Sequence, residues 1–350
     1  MNRRNFLKSA AAASALISLP AFAKKPDDIR AVLLHRGMNM WGEWIAPGEP
    51  RIDGKRYTRD AIYFSENIWK RTIDHAVKRS YNMVVMDLGE FLAYPSHPEL
   101  AVKGSWSADR MRTEVRRLKA MGLEPIPKVN FSASHHQWLK EYGRMVSTKI
   151  YYRVCSDIIK DVSEVFDRPR YIHLGFDEEK TENQRNRSFM ILRQNELWWH
   201  DLFWFVNEVE KRGSRAWIFS DYGWRHPEFV QKCPKSVLQS NWYYNEDAQG
   251  YEIDKMKEWF KPKLRLFCDL DKAGFDQVPC PSNWLSGKLK KSGRTDNSDC
   301  AGKVVEFCRA HISHNRLKGF MMASWTDCKG ESAFRFNCAG MDQLAVAMEK

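Results

Sequence analysis

From Ile29 onward, short apolar or β-branched runs alternate with longer stretches whose apolar residues recur at helical spacing. The runs cover residues 31–40, 82–88, 123–130, 171–178, 215–222, 236–244, 264–270 and 317–325. Their apolar positions are nearly continuous, as expected of parallel strands covered on both faces. Helices are predicted between them. Residues 66–80 place Ile68, Trp69, Ile73, Ala76 and Val77 on one face, residues 107–121 run to a capping Gly122, and residues 192–212 run to Gly213. Further helical patterns cover 149–166, 251–261, 301–314 and 341–349, with a short one at 227–232. Eight strands, each followed by a helix, give an α/β chain of the (β/α)8 barrel type in a single domain over residues 24–350. The alternative is a doubly wound open sheet. No Gly-x-Gly-x-x-Gly follows any strand, which argues against a dinucleotide fold.

The first 23 residues stand outside this pattern and read as an export signal. Arg3 and Arg4 precede Asn5-Phe6-Leu7-Lys8, which resembles the twin-arginine consensus. The apolar run that follows, residues 10–23, is shorter than the roughly 20 apolar residues of a spanning helix and contains Pro20. Ala21-Phe22-Ala23 has the form of a cleavage site, so the mature chain is expected to start at Lys24. The alternative is an uncleaved N-terminal anchor. No Cys follows the site, so no lipid anchor is expected, and the cleaved protein should be periplasmic or secreted without a stable membrane anchor. Its export partner is then the twin-arginine translocase.

Composition narrows the function. A 43% hydrophobic, 29% charged chain is neither disordered nor a multi-span membrane protein. The net charge is +12, and removal of Arg3, Arg4 and Lys8 leaves +9 spread among acids. There is no basic stripe interleaved with aromatics, so nucleic acid is not the expected partner; a basic surface suits acidic glycans better. The eight cysteines form no Cys-x-x-Cys pair, and no Cys/His cluster has ligand spacing, so neither metal nor cofactor is expected. Export permits some of them to oxidise, in pairs that the sequence does not specify. The 14 Trp, 19 Phe and 12 Tyr exceed what a core of this size requires, and some should line a cleft.

In barrels of this kind the reacting groups stand at the C-terminal ends of strands. Here those ends offer Arg36, Asp87, Glu90, Asn130 with His135, Asp177 and Glu178, Asp221 with Trp224, Trp242 with Tyr243, Asp269, and Trp325 with Asp327. Carboxylates and indoles together suit a sugar site: indole faces stack on pyranose rings, and carboxylates bind hydroxyls or move protons. His173-Leu174-Gly175-Phe176-Asp177-Glu178 is the sharpest signal. Strand alternation turns His173, Gly175 and Asp177 inward, with Gly175 leaving room for a ligand, while Glu178 faces the same way only past the last strand residue. Adjacent acids repel, which helps one stay protonated near neutrality. The bland alternative is a solvated acidic loop, since Glu179, Lys180 and Glu182 follow.

The segment resembles the His-x-Gly-Gly-Asp-Glu signature of glycoside hydrolase family 20, the β-N-acetylhexosaminidases. Other segments fall in the same order as that family's motifs: His35-Arg36-Gly37, then 121–127 with Asn130, His135 and Trp138, then 238–242, then 319–327. Phe176 replaces the second Gly, Lys128 and Asn130 stand where the family has Glu and Asp, and Asp327 replaces a Glu. The resemblance implies hydrolysis of a β-linked N-acetylhexosamine with assistance from the substrate's own acetamido group. Glu178 would be the general acid/base and Asp177 would orient the acetamido group. Arg36, His135, Trp242, Tyr243, Trp325 and Asp327 would bind the glycan, with Tyr243 or Tyr244 holding the acetamido oxygen. Two rivals remain: a barrel glycosidase for sugars without an acetamido group, using a pair such as Glu90 and Glu178, and a non-catalytic glycan-binding protein. Replacing Arg3 and Arg4 by Lys should strand the precursor in the cytoplasm; normal periplasmic delivery of that variant, seen by cell fractionation, would refute dependence on the pair.

Overall fold

The β-branched and sulfur-rich runs fold as parallel strands: β1 (Ile29–His35), β2 (Met83–Asp87), β3 (Glu124–Lys128), β4 (Tyr171–His173), β5 (Arg215–Phe219), β6 (Leu238–Ser240) and β7 (Gly319–Ala323). The computed structural model describes residues 28–244, 251–291, 293 and 295–350. The strands form one sheet in the order β6-β5-β4-β3-β2-β1-β7. Its two edges are joined by the segment from Asp276 to Pro281. On one side the Val278 and Cys280 N–H groups donate to the Gln239 and Asn241 carbonyls at 2.8 and 3.0 Å. On the other the Met321 and Ala323 N–H groups donate to the Pro279 and Pro281 carbonyls at 3.0 and 3.2 Å. The sheet therefore closes into a barrel rather than an open, doubly wound sheet. Pro279 and Pro281 have no N–H to donate, so this eighth member pairs only intermittently.

That closing segment corrects the sequence expectation for residues 264–270. They lie in a helix, α7 below, because an amphipathic helix with Leu264, Leu266, Phe267 and Leu270 buried offers the same short apolar run as a buried strand. The helix expected over 251–261 reduces to one 3-10 turn, Ile253–Lys255. The helices are α1 (Glu66–Lys78), α2 (Ala108–Ala120), α3 (Lys149–Val165), α4 (Thr181–Gln184), α5 (Glu196–Glu210), α6 (Phe229–Lys232), α7 (Lys261–Lys272), α8 (Gly287–Lys291), α9 (Cys300–His311) and α10 (Glu331–Glu349). Side chains of Ser65, Ser107 and Thr148 cap α1, α2 and α3, accepting the N–H of the residue three along. Trp198 and Trp199 of α5 are buried and Trp204 is partly buried, all in the helix layer as expected. All eight cysteines are free thiols, and only Cys268 is not buried.

Two apolar cores follow from the strand period of two. One lies between barrel and helices. The other fills the barrel, with Ile29, Ala31 and Leu33 from β1, Met83 and Val85 from β2, Ile126 from β3 and Trp217 and Phe219 from β5. Continuing each alternation puts His35, Asp87, Lys128 and His173 inward as well. The register sets them side by side: His35 opposite Asp87, Asp87 opposite Lys128, and Lys128 opposite His173. Lys128 Nζ lies 2.5 Å and His35 Nδ1 lies 3.1 Å from the same Asp87 oxygen. Lys128 and Asp87 are within 1% of complete burial. Burial alone would raise the pKa of Asp87, but Lys128 and His35 outweigh it and hold the carboxyl at about 2.

Removing one partner of a buried pair typically costs about 3–5 kcal/mol, whereas removing both is far milder. Lys128→Met should therefore lower the urea unfolding midpoint sharply, and Lys128→Met with Asp87→Asn should recover much of the loss. Equal midpoints for the single variant and the wild type would show that the pair contributes nothing to stability.

Candidate active site

Strand β4 stops at His173, and the chain then turns through a series of left-handed residues: Gly175 at φ +75°, Phe176 at +67° and Glu178 at +56°. Non-glycine residues in this region are strained by about 1–3 kcal/mol each and persist only where the surroundings hold them. The strain faces both Asp177 and Glu178 into one cavity, which strand alternation alone would not do. The space beside Gly175 is not left for a ligand. A Cβ there would lie 2.0 Å from Asn130 Oδ1, so the glycine admits the Asn130 side chain. Asn130 Nδ2 donates to Asp177 Oδ1 at 2.9 Å, and its Oδ1 accepts the Ser132 N–H at 3.0 Å. His173 Nδ1 accepts the Gly175 N–H at 3.0 Å, so this buried imidazole fixes the turn.

The next acid has a separate task. Glu179 is fully buried against Arg193 at 2.6 Å and accepts the Ala133 N–H at 3.1 Å, tying the turn to the loop after β3. The bland expectation of a solvated acidic loop fails for Asp177 and the Glu179 side chain, which are buried; Glu178 is partly exposed to the cavity, and the exposed stretch begins at Thr181.

A cavity of about 420 Å³ opens over the C-terminal end of the barrel. Its lining is Trp41, Arg56, His135, Asp177, Glu178, Trp242, Tyr244, Trp284 and Trp325. His135 sits between the two acids, with Nδ1 3.6 Å from Asp177 Oδ2 and Nε2 3.6 Å from Glu178 Oε2. Burial pushes the pKa of His135 down, so its ring is neutral near pH 7. Glu178 is pushed up to about 7 by burial, and then by the charges of Asp177 and Asp221. Asp221 Oδ2 accepts the Glu178 N–H at 2.9 Å, and burial raises its own pKa to about 6. Asp221 also accepts from Trp242 Nε1 at 3.3 Å, and Trp325 Nε1 donates to the Tyr244 hydroxyl at 2.9 Å. A second, open cleft of about 1070 Å³ adjoins the first along Glu178 and Trp242, with Trp224, Trp259 and Lys263 in its walls.

Of the residues expected from sequence, Asp177, Glu178, His135, Trp242 and Trp325 meet in the cavity, and three do not. Arg36 is fully buried on the outer face of β1, its guanidinium 4.0–4.6 Å from the ring centres of Phe64, Trp69, Phe91 and Trp106. That burial pulls its pKa down to about 9. The inward position at this strand end belongs to His35, as the strand's period of two already implied. Tyr243 likewise faces the helix layer, and Tyr244 takes the cavity place. Asp327 is outside the lining; its Oδ1 accepts the Lys329 N–H at 2.8 Å. Sequence reasoning missed Trp41 and Arg56, which come from the long loop between β1 and α1. It named Asp221 only as a strand-end residue. Among the described residues no group of three His, Cys, Asp or Glu side chains is placed to hold a metal ion.

Residues 1–20 match the family model of the twin-arginine translocation pathway signal sequence, so the chain carries an export signal for the periplasm or the medium. No helix among the described residues is long and apolar enough to cross a membrane. No curated protein matches the sequence. The fold is similar to those of many solved structures, among them three of glycoside hydrolase family 20. The exo-β-N-acetylglucosaminidase of glycoside hydrolase family 20 from Vibrio harveyi is 11% identical, with 89% of this chain and 54% of that chain covered and a TM-score of 0.56. The family 20 β-N-acetylhexosaminidase from Streptomyces coelicolor A3(2) gives 13%, 90%, 64% and 0.58 in the same order. The tandem family 20 catalytic modules of the pneumococcal exo-β-D-N-acetylglucosaminidase StrH give 14%, 92%, 85% and 0.58. The chain spans about half the length of the Vibrio protein. At these identities the likeness is one of fold: a barrel of parallel strands with helices around it.

Removing a like charge favours ionisation of its neighbour. In Asp221→Asn the Glu178 midpoint, followed by carbon-13 NMR of its carboxyl, should therefore fall below its wild-type position near 7. An unchanged midpoint would mean that burial and Asp177 alone set it.

Proposed function

We propose that this chain is an exported glycoside hydrolase that removes β-linked N-acetylhexosamine with retention of configuration, its mature form beginning at Lys24. The observation that carries this reading is the pair Asp177 and Glu178, side by side in an aromatic-walled cavity at the barrel's C-terminal end, with Glu178 pushed up to about 7. The similarity in fold to the family 20 enzymes above supports it.

On this reading the sugar stacks against Trp242, Trp284 or Trp325 and points its scissile bond at Glu178. Glu178 donates its proton to the glycosidic oxygen as the bond to C1 breaks. The acetamido oxygen attacks C1 and forms an oxazolinium ion, an exception to the usual two-carboxylate scheme. Asp177, itself held by Asn130, accepts a hydrogen bond from the acetamido N–H and stabilises the positive charge. Tyr244 is the tyrosine positioned for the acetamido oxygen. The Glu178 carboxylate then removes a proton from water, which opens the ion and restores the acid. The cleft beyond Glu178 and Trp242 gives the leaving group room. The rival that pairs Glu90 with Glu178 loses support, because Glu90 is outside the lining and accepts the N–H groups of Met38 and Asn39 at 2.7 and 3.1 Å. Lys128 and Asn130, the departures that motivate a non-catalytic reading, have their own partners in Asp87 and Asp177.

The test is release of aryl leaving groups from β-glycosides with and without the 2-acetamido group. Turnover should require the acetamido group. Glu178→Gln should lose about 10²–10⁴-fold with poor leaving groups and less with a nitrophenol, which needs little protonation. Asp177→Asn should lose activity with both. Turnover within a few-fold of wild type for both variants would sink the mechanism. Loss confined to Glu178→Gln would remove acetamido assistance.

A further inference from the structure

Among the described residues, one cation on the cavity wall is left without an anion. Arg56 lines the same cavity as Asp177 and Glu178, its guanidinium 5.5 Å from the centre of the Trp41 ring. Its backbone is fixed. The Glu43 N–H donates to the Arg56 carbonyl at 2.8 Å, and the Thr58 N–H to the Glu43 carbonyl at 3.0 Å. Gly42 allows these strands of the loop to touch, since a Cβ there would lie 2.5 Å from the Tyr57 carbonyl carbon. Asn39 and Arg59 close the loop again, with Asn39 Oδ1 accepting the Arg59 N–H at 2.7 Å and Asn39 Nδ2 donating to the Arg59 carbonyl at 3.0 Å. The neighbouring Lys55 reaches the Glu43 carboxylate at 3.7 Å. Arg56 has no such partner: among the described residues its guanidinium makes no hydrogen bond or ion pair. Partial desolvation and the like charge of Arg59 both pull its pKa below the usual arginine value.

Arg56 is exposed to the cavity rather than buried, and a guanidinium with no protein partner is free to take an anion that can accept two parallel N–H bonds. Among the described residues the two acids of the lining, Asp177 and Glu178, have His135 as their ion-pair neighbour and form none with Arg56, and the rest of the lining is aromatic. Neutral sugar hydroxyls would leave the charge uncompensated. Among groups that sugars carry, sulfate esters, phosphate esters and carboxylates have the required geometry.

We infer that Arg56 is a specificity-determining residue, and that the cavity takes a hexosamine bearing an anionic substituent in preference to the neutral sugar. This inference rests on the hydrolase reading above and adds the substrate class to it. The guanidinium lies over the Trp41 ring, so the anion would be bound on the β1–α1 side while the glycosidic bond meets Glu178.

The experiment compares kcat/KM for 4-nitrophenyl N-acetyl-β-glucosaminide with that for its 3-, 4- and 6-sulfates and its 6-phosphate, in wild type, Arg56→Ala and Arg56→Lys. Wild type should prefer at least one anionic substrate. The preference ratio should fall about 10–100-fold in Arg56→Ala, the range expected for a charge-assisted hydrogen bond, and less in Arg56→Lys. The sulfate and phosphate arms identify which oxyanion the site takes. A wild-type preference for the neutral glycoside, or a preference ratio untouched by Arg56→Ala, overturns the inference while leaving the hydrolase reading standing. Calorimetric titration with N-acetylglucosamine and its 6-sulfate separates the two readings. Tighter, Arg56-dependent binding of the sulfate by a protein that turns over no substrate would sustain anion recognition and reject hydrolysis.

Discussion

A lysine and an aspartate closed inside a barrel, with no solvent to screen them, govern what stands above them. The Asp87–Lys128 pair sits in the inner layer beneath the cavity, and the pairing of β1 through β4 is locked around it. Slipping β3 by one residue would turn Lys128 into the apolar helix layer and leave the buried Asp87 without its lysine, with only the His35 imidazole beside it. Register is therefore held by charge as well as by the apolar pattern. Because β3 is held, Asn130 arrives two residues later at the height where it can fill the space beside Gly175 and reach Asp177.

Three successive acids then have three different environments. Asp177 is held from below by the Asn130 amide. Glu178 looks into the cavity with its N–H tied to Asp221, so two further carboxylates oppose its ionisation. Glu179 is withdrawn entirely and forms a buried ion pair with Arg193, whose guanidinium also donates to the Phe131 carbonyl at 2.7 Å. Left-handed backbone at Phe176 and Glu178 makes this separation possible, and the Glu179–Arg193 pair on one side and Asn130 on the other hold the strained turn in place.

The outer layer explains why two arginines of the first βα unit behave so differently. Arg36 leaves the barrel for a cage of four aromatic rings, where cation–π attraction offsets part of the lost hydration. Arg56, more than one loop turn later in the chain, has only one ring nearby and faces the cavity. The positive charge at the cavity thus comes from a loop rather than from a strand end, and loops are free to vary around a fixed barrel.

The alternation of strands and helices, the export signal and the acidic motif at the end of β4 could all be read along the chain. Each depends on local spacing, which a chain carries whatever its neighbours do. The sequence did not distinguish α7 from a strand, because a short buried apolar run has no period long enough to decide. It did not reveal the closing segment either, because Pro279 and Pro281 mask a strand whose pairing comes only from its two neighbours. The choice of His35 over Arg36 and of Tyr244 over Tyr243 turned on a single residue of phase, fixed by the sheet register. Trp41 and Arg56 reach the cavity from the loop after β1, and Asp221 stands behind Glu178 from the turn after β5; only closure of the barrel brings those segments to one place. Chemistry that sits on one strand end was legible; chemistry assembled across strands was settled by packing, since it depends on contacts between residues distant in the chain.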